Sequence, residues 1–147
     1  MSLPLTVTII TKNEERNLPM AIQSVSWAEE ILVVDCGSTD QTVGIARSLG
    51  ARTLHHPWEG YGQQKNFAQS QASHDWILNL DADEIVSPEL SKEIHSLFEQ
   101  GLESRGRGYL IPRKPFYLGR WIQHSGWYPG RLVRLAHRKH ARWSEPP

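Results

Sequence analysis

Two aspartates separated by one small residue, Asp81-Ala82-Asp83, follow the apolar run Trp76–Leu80 and have the types and spacing to do chemistry. A divalent cation such as Mg2+ or Mn2+ takes hard oxygen ligands and often only one or two carboxylates, with phosphates and water filling the rest of its shell. If the extended geometry of the run persists, Asp81 and Asp83 point to the same side. One can then meet a metal while the other holds a sugar or ribose. An isolated D-x-D is short enough to be only a turn that caps the next helix, but its place at the end of a buried strand favours the ligand reading. Lys12–Glu15 and Cys36–Asp40 are polar in the same way. Neither contains G-x-G-x-x-G or G-x-x-x-x-G-K-[ST], so no glycine-rich helix start is expected to hold a pyrophosphate.

These segments need a scaffold that gathers strand ends. Leu5–Thr11 and Ile31–Asp35 are apolar and β-branched, as strands buried on both faces are, with a polar turn expected at Glu29-Glu30. Between them Leu18, Ala21, Ile22 and Val25 recur at helical spacing, with Asn17 as the expected cap and Pro19 in the first turn. The pattern repeats with a helix over about 40–49 stopped at Gly50, a strand near 51–54, a helix over about 63–72, and a strand over 75–80. Ser87-Pro88-Glu89 opens a further helix whose Leu90, Ile94, Leu97 and Phe98 share a face. Such alternation predicts an α/β fold, an open, mainly parallel, Rossmann-like sheet flanked by helices, with ligands at the carboxyl ends of the strands. After the loop over 101–108 only short strand-like pieces follow, at 108–112 and 132–135.

With 147 residues, 39% of them hydrophobic, the chain reads as one domain, which excludes intrinsic disorder and a disulfide scaffold. The lone Cys36 cannot form an internal disulfide, and no apolar run approaches the roughly 20 residues of a membrane span. A cytoplasmic setting is expected. The zero net charge hides a split: residues 1–100 hold 6 Lys/Arg against 14 Asp/Glu, and residues 101–147 hold 10 against 2. The two parts either face different partners, a cation in front and something anionic behind, or attract each other.

Four segments taken in order carry a resemblance: Ile9–Leu18 (IITKNEERNL), Ile31–Thr42 (ILVVDCGSTDQT), Gln64-Lys65-Asn66, and Leu80–Glu84 (LDADE). Together they resemble the family 2 glycosyltransferases of the GT-A fold. Trp58–Asn66 (WEGYGQQKN) and Gly126-Trp127-Tyr128-Pro129 are similar to the branch that adds glucose or a related sugar to the lipopolysaccharide inner core. The resemblance implies an inverting transfer from a uridine diphosphate sugar, assisted by Mg2+ or Mn2+, onto a lipid-linked or phosphorylated saccharide of the cell envelope. It places Thr11, Asn13 and Glu14 by the nucleoside, Asp35 on the base or ribose, and Lys65 near the nucleotide. Asp81 and Asp83 form the D-x-D pair, with Asp83 as the metal ligand. Residues 1–100 would form the donor part, and residues 101–147 the start of a basic acceptor part of the same domain. Where many members read Asp-Asp-Gly-Ser this chain has Asp35-Cys36-Gly37-Ser38, and where the branch often has Asp after Tyr-Pro it has Gly130. The general base is implied to be an Asp or Glu beyond the segment resembling Ala141-Arg142-Trp143, so Glu84 and Glu145 are set aside and the residues up to Pro147 are expected to lack it.

The remaining candidates are weaker. His55-His56, His137 and His140 are not joined by other ligands into a metal pattern and read as surface or packing residues. Cys36 reads as a spectator thiol. His124, Trp127 and Arg131 are candidates for an acceptor pocket, since a tryptophan face suits a sugar ring. The Arg- and Lys-rich tail, interleaved with Trp and Tyr, would also suit single-stranded nucleic acid, but no nucleic-acid module accompanies it. The preferred use of these charges is to hold acceptor phosphates and the anionic inner face of the cytoplasmic membrane, worth about 1 kcal/mol per residue near the bilayer.

Overall fold

A computed structural model of the chain describes residues 2–101, 108–112, 116–117, 120–121, 131–143 and 145. The chain runs β1 (Leu3–Thr11), α1 (Leu18–Ser24), β2 (Ala28–Asp35), α2 (Thr42–Ser48), β3 (Arg52–His55), α3 (Tyr61–Gln71), β4 (Trp76–Asp81) and α4 (Pro88–Glu99). Four short strands follow: β5 (Gly108–Pro112), β6 (Phe116–Tyr117), β7 (Arg120–Trp121) and β8 (Arg131–His137). The main sheet has the order β3-β2-β1-β4-β8-β5, and β6 pairs with β7 separately. The first four strands are parallel, and β8 is antiparallel to both neighbours. This is the expected open, mainly parallel sheet.

Strand alternation explains the two-sided cover. On β1 the odd residues Leu5, Val7 and Ile9 are wholly buried and pack with Val33, Leu78 and Leu80 against Leu18, Ala21 and Ile22 of α1 and Ile94 of α4. The other face of β2, Leu32 and Val34, packs on Ala68 and Phe67 of α3. Each fully buried aliphatic side chain contributes about 1.5–3 kcal/mol, so the continuous apolar runs favour a central position with helices on both sides. Gly50 ends α2 with φ +89, the Gly50 N–H donating to the Arg47 carbonyl and the Ala51 N–H to the Ala46 carbonyl, a Schellman arrangement that glycine accommodates without strain. Ser87 caps α4 as expected, its hydroxyl accepting from the Leu90 N–H at 3.1 Å.

Several boundaries differ from the sequence expectation. Glu29-Glu30 is not a turn but part of β2. Glu30 can lie in a strand because its carboxylate accepts from the Thr6 hydroxyl (2.7 Å), the Ser73 N–H (2.8 Å) and the Ser73 hydroxyl (2.8 Å) and pairs with Arg52 (3.1 Å). Asn17 sits at the start of α1 without a capping bond, since its side chain bonds to the Glu14 carboxylate. Helix α2 begins at Thr42 rather than Asp40, because the Asp40 carboxylate stays outside and accepts from the Thr42 N–H at 3.0 Å. Strand β4 ends at Asp81, so Ala82-Asp83 form a turn and the extended geometry does not persist through Asp83.

The basic tail enters the main sheet. β8 lies between β4 and β5, with Trp76 opposite His137 and Leu78 opposite Leu135. Beyond it Arg138 pairs with Asp75 at 3.0 Å and Lys139 with the same carboxylate at 3.9 Å. Here the two oppositely charged parts of the chain do attract each other. Burial pushes the Glu30 carboxyl up, but the Ser73, Thr6 and Arg52 donors outweigh it and hold the group below the ordinary glutamate value. A depressed folded value stabilises fully above about pH 4.5 and is lost as pH falls through the folded value. Glu30→Gln is therefore expected to lower stability at pH 7 by about 1–2 kcal/mol. Urea unfolding at a series of pH values checks this, and the gap between variant and wild type should close on the acid side.

Candidate functional site

Parallel register brings the strand ends to one edge. Thr11 lies opposite Asp35, Asp35 opposite His55, and Ile10 opposite Asp81. The chain leaves β1 toward β2 on one side, and β4 flanks it on the other, so the crevice opens at the point where strand order reverses.

The loops after β1 and β2 are bonded to each other. The buried Asp35 carboxylate accepts from the Thr11 hydroxyl (2.8 Å), the Gly37 N–H (2.9 Å), the Ser38 N–H (2.7 Å) and the Ser38 hydroxyl (2.5 Å). Burial raises its pKa, and these four donors outweigh that and hold it below the ordinary aspartate value. Gly37, at φ +119, makes the turn possible. Asn13 adopts φ +54, its N–H donates to Ser38 Oγ (2.7 Å), and its side-chain oxygen accepts from the Thr39 N–H (2.8 Å). The Glu14 N–H donates to the Thr42 hydroxyl (2.9 Å), and the Gln41 N–H to the Glu15 carboxylate (3.2 Å).

Beside this locked pair of loops is a cleft of about 760 Å³ lined by Ile10, Thr11, Lys12, Glu14, Cys36, Trp58, Tyr61, Gln64, Lys65, Asp81, Ala82 and Asp83. Glu84 closes the turn that presents the two aspartates: its carboxylate accepts from the Asp81 N–H at 2.8 Å, and its own N–H donates to the Asp81 carbonyl at 2.9 Å. The D-A-D-E segment is thus a turn whose two aspartates both face the cleft. Burial raises the Glu14 pKa, and the negative charges of Asp83, Asp40 and Asp81 raise it further against a bond from Asn17. Like charges gathered in this way suit a cation or a ligand that brings one. Among the described residues no group of three or more His, Cys, Asp or Glu is arranged to hold a metal ion. The donor set fits a metal that takes its remaining oxygens from a phosphate ligand and water.

Of the residues singled out from the sequence, Thr11, Glu14, Lys65, Asp81 and Asp83 come together in this cleft, while Asn13 and Asp35 hold the adjoining loops and are not among its lining residues. Cys36, not Asp35, reaches the lining. His124 and Trp127 lie outside the described residues, and Arg131 is placed by its backbone alone, opposite Pro112. Sequence reasoning assigned no site role to the half-exposed Trp58 or to Tyr61, whose rings meet edge to face at 4.7 Å beside the cleft. Their signal is the aromatic W-x-x-Y spacing that leads into the first residue of α3. Gln64 is wholly buried, donating to the His56 carbonyl (3.1 Å) and accepting from His56 Nδ1 (2.9 Å), which fixes α3 to the end of β3.

Known proteins share features of this sequence and fold. The sequence model of the family described as Glycosyl transferase family 2 matches residues 6–113. The chain is 42% identical over 134 residues to an uncharacterized glycosyltransferase, RT0209, of Rickettsia typhi, covering 90% of this chain and 46% of the relative. It is 34% identical over 148 residues to the lipopolysaccharide core biosynthesis glycosyltransferase LpsC of Rhizobium meliloti, covering 96% of this chain and 53% of that protein. The chain thus spans about half the length of these relatives. In fold it is similar to S. aureus TarS 1–349, with a TM-score of 0.66 at 18% identity over 92% of this chain and 47% of that one. It is also similar to glucosyl-3-phosphoglycerate synthase of Mycobacterium tuberculosis, solved with Mn2+, uridine diphosphate and phosphoglyceric acid, with a TM-score of 0.58 at 26% identity over 74% of this chain and 42% of that one.

The left-handed backbone at Asn13 makes a graded test of the loop lock. Asn13→Ala is expected to cost about 1–2 kcal/mol more than Asn13→Gly, because both lose the side-chain acceptor but only alanine is strained at this φ. Thermal or urea unfolding of the two variants reads the difference, and equal costs would show that the backbone conformation is not held as described.

Proposed function

The chain belongs to glycosyl transferase family 2, and we propose that it forms the donor-binding part of an inverting enzyme that moves a hexose, glucose in our reading, from a uridine diphosphate sugar onto a lipopolysaccharide-core or related glycan. The observation that carries this reading is that Asp81 and Asp83, in the turn ending β4, line the same cleft as Thr11, Glu14 and Lys65. The similarity to LpsC supports the acceptor class, and the uridine diphosphate and Mn2+ held by the mycobacterial synthase support the donor and the metal.

In the reaction the acceptor oxygen bonds to the anomeric carbon while the bond from that carbon to the phosphate oxygen breaks, its electron pair leaving on uridine diphosphate and the acceptor proton passing to a base. Asp83, with Asp81 beside it, would hold Mg2+ or Mn2+. When bound, that ion neutralises charge building on the leaving diphosphate. Thr11 and Glu14 line the nucleoside side, and Lys65 offers its ammonium to the phosphates. Asn13 and Asp35 serve the nucleoside end through the loops they hold. No residue of this chain is assigned as the base: Glu84 is occupied by the Asp81 N–H, and Glu145 by Asn66 and Arg142.

We place the donor site in residues 1–100 and the start of an acceptor side in residues 101–147, with His124, Trp127 and Arg131 toward the acceptor. The setting we propose is cytoplasmic, with peripheral contact to the inner membrane face. No helix among the described residues is long and apolar enough to cross a membrane. A nucleic-acid module is the less favoured reading. The three basic tail residues whose side chains are described, Arg138, Lys139 and Arg142, each face a carboxylate rather than forming an unpaired basic strip.

Calorimetric titration with uridine diphosphate, with and without Mn2+, tests the proposal. Mn2+ is expected to tighten nucleotide binding, and Asp83→Ala to weaken binding in Mn2+ by about tenfold or more and remove the metal dependence. Mn2+ titrated alone should bind weakly, because the chain supplies only part of the shell. Nucleotide binding indifferent to both the metal and Asp83, or no binding at all, would overturn the assignment.

A further inference from the structure

Lys65 lines the donor cleft, and its Nζ lies 4.1 Å from the centroid of the Trp143 ring. Trp143 lies beyond β8 and outside residues 6–113, the part of the chain the family model matches. It is not loosely placed. The Asn66 side chain clasps both of its backbone polar groups, accepting from the Trp143 N–H at 2.8 Å and donating to the Trp143 carbonyl at 2.8 Å. Gln69, one turn after Lys65 on α3, donates to the Ala141 carbonyl at 2.7 Å. Helix α3 therefore grips the segment 141–143 from one side and presents Lys65 to the indole face.

The negative face of an indole attracts an ammonium through the ring quadrupole. A lysine also has a long flexible stem, and restricting it before a ligand arrives removes part of the ordering cost of binding. We propose that Trp143 is a positioning residue of the donor site, setting the Lys65 ammonium at the cleft wall where the nucleotide's diphosphate is received. This inference rests on the reading of Lys65 as a phosphate-facing group given above. It also assigns to the C-terminal segment a part in the donor cleft that residues 1–100 alone do not supply.

Titration of the 147-residue chain with uridine diphosphate and Mn2+ tests it in a double-mutant cycle. Trp143→Leu is expected to weaken binding about three- to tenfold. Trp143→Phe should retain most of the affinity, and the leucine substitution should cost nothing further in a Lys65→Met background. A leucine variant as tight as wild type, or one with the same loss in the Lys65→Met background, would overturn the inference while leaving the nucleotide reading intact. A wild-type chain that binds no uridine diphosphate removes both. A second measurement needs no Trp143 variant. The ε-methylene resonance of Lys65, assigned by its loss in Lys65→Met, should be shifted upfield by the indole and keep that shift when uridine diphosphate and Mg2+ are added. Collapse of the shift on binding would mean that the ammonium leaves the ring to reach its ligand, which also overturns positioning by Trp143.

Discussion

The site depends on one constraint, the parallel register of β1 with both of its neighbours. With Thr11 opposite Asp35 and Ile10 opposite Asp81, three strand ends meet at one edge, and the segments that follow them have no choice but to share a crevice. A shift of one residue in either pairing would turn Leu5, Val7 and Ile9 from the α1/α4 side toward α3 and exchange wholly buried aliphatic groups for threonines. Core packing therefore fixes the register, and the register fixes the site.

The cleft separates two kinds of carboxylate. Asp35 is buried and satisfied by four neutral donors, so its charge is absorbed by dipoles and it serves as the hub of the loop lock. Glu14, Asp81 and Asp83 face the opening, where the raised pKa of Glu14 reports burial and mutual repulsion. The first kind braces the loops, and the second gathers negative charge at the cleft.

Much of this was legible in the sequence, for physical reasons that differ by segment. The strands β1, β2 and β4 announce themselves because burial on both faces demands unbroken apolar runs, and Asp81-Ala82-Asp83 can be located at a strand end because it directly follows one of them. Glu29-Glu30 misled because a charged pair reads as a turn unless its partners, here Thr6, Ser73 and Arg52, are known to converge. Asn13 and Asp35 stand out as polar residues at strand ends, but that each also braces a loop is decided by partners such as Thr11 for Asp35 and Thr39 for Asn13, 24 and 26 residues away. Asn66 and Trp143 are the extreme case: a side chain gripping a backbone 77 residues on leaves no local pattern at all.

The insertion of β8 between β4 and β5 has a consequence for how the molecule is made. In the parallel half β2 and β3 each find a neighbour across one short crossover, whereas residues 12–75 separate β1 from β4. The outer edge of β4 also waits, since residues 82–130 intervene before its partner arrives. During translation that edge is a bare row of amide and carbonyl groups, open to pairing with any strand that comes first. The ribosome delivers the acid half of the chain before the basic strand that seals it, so Asp75 waits beside the open edge as an electrostatic lure for Arg138 and Lys139 when the returning strand emerges.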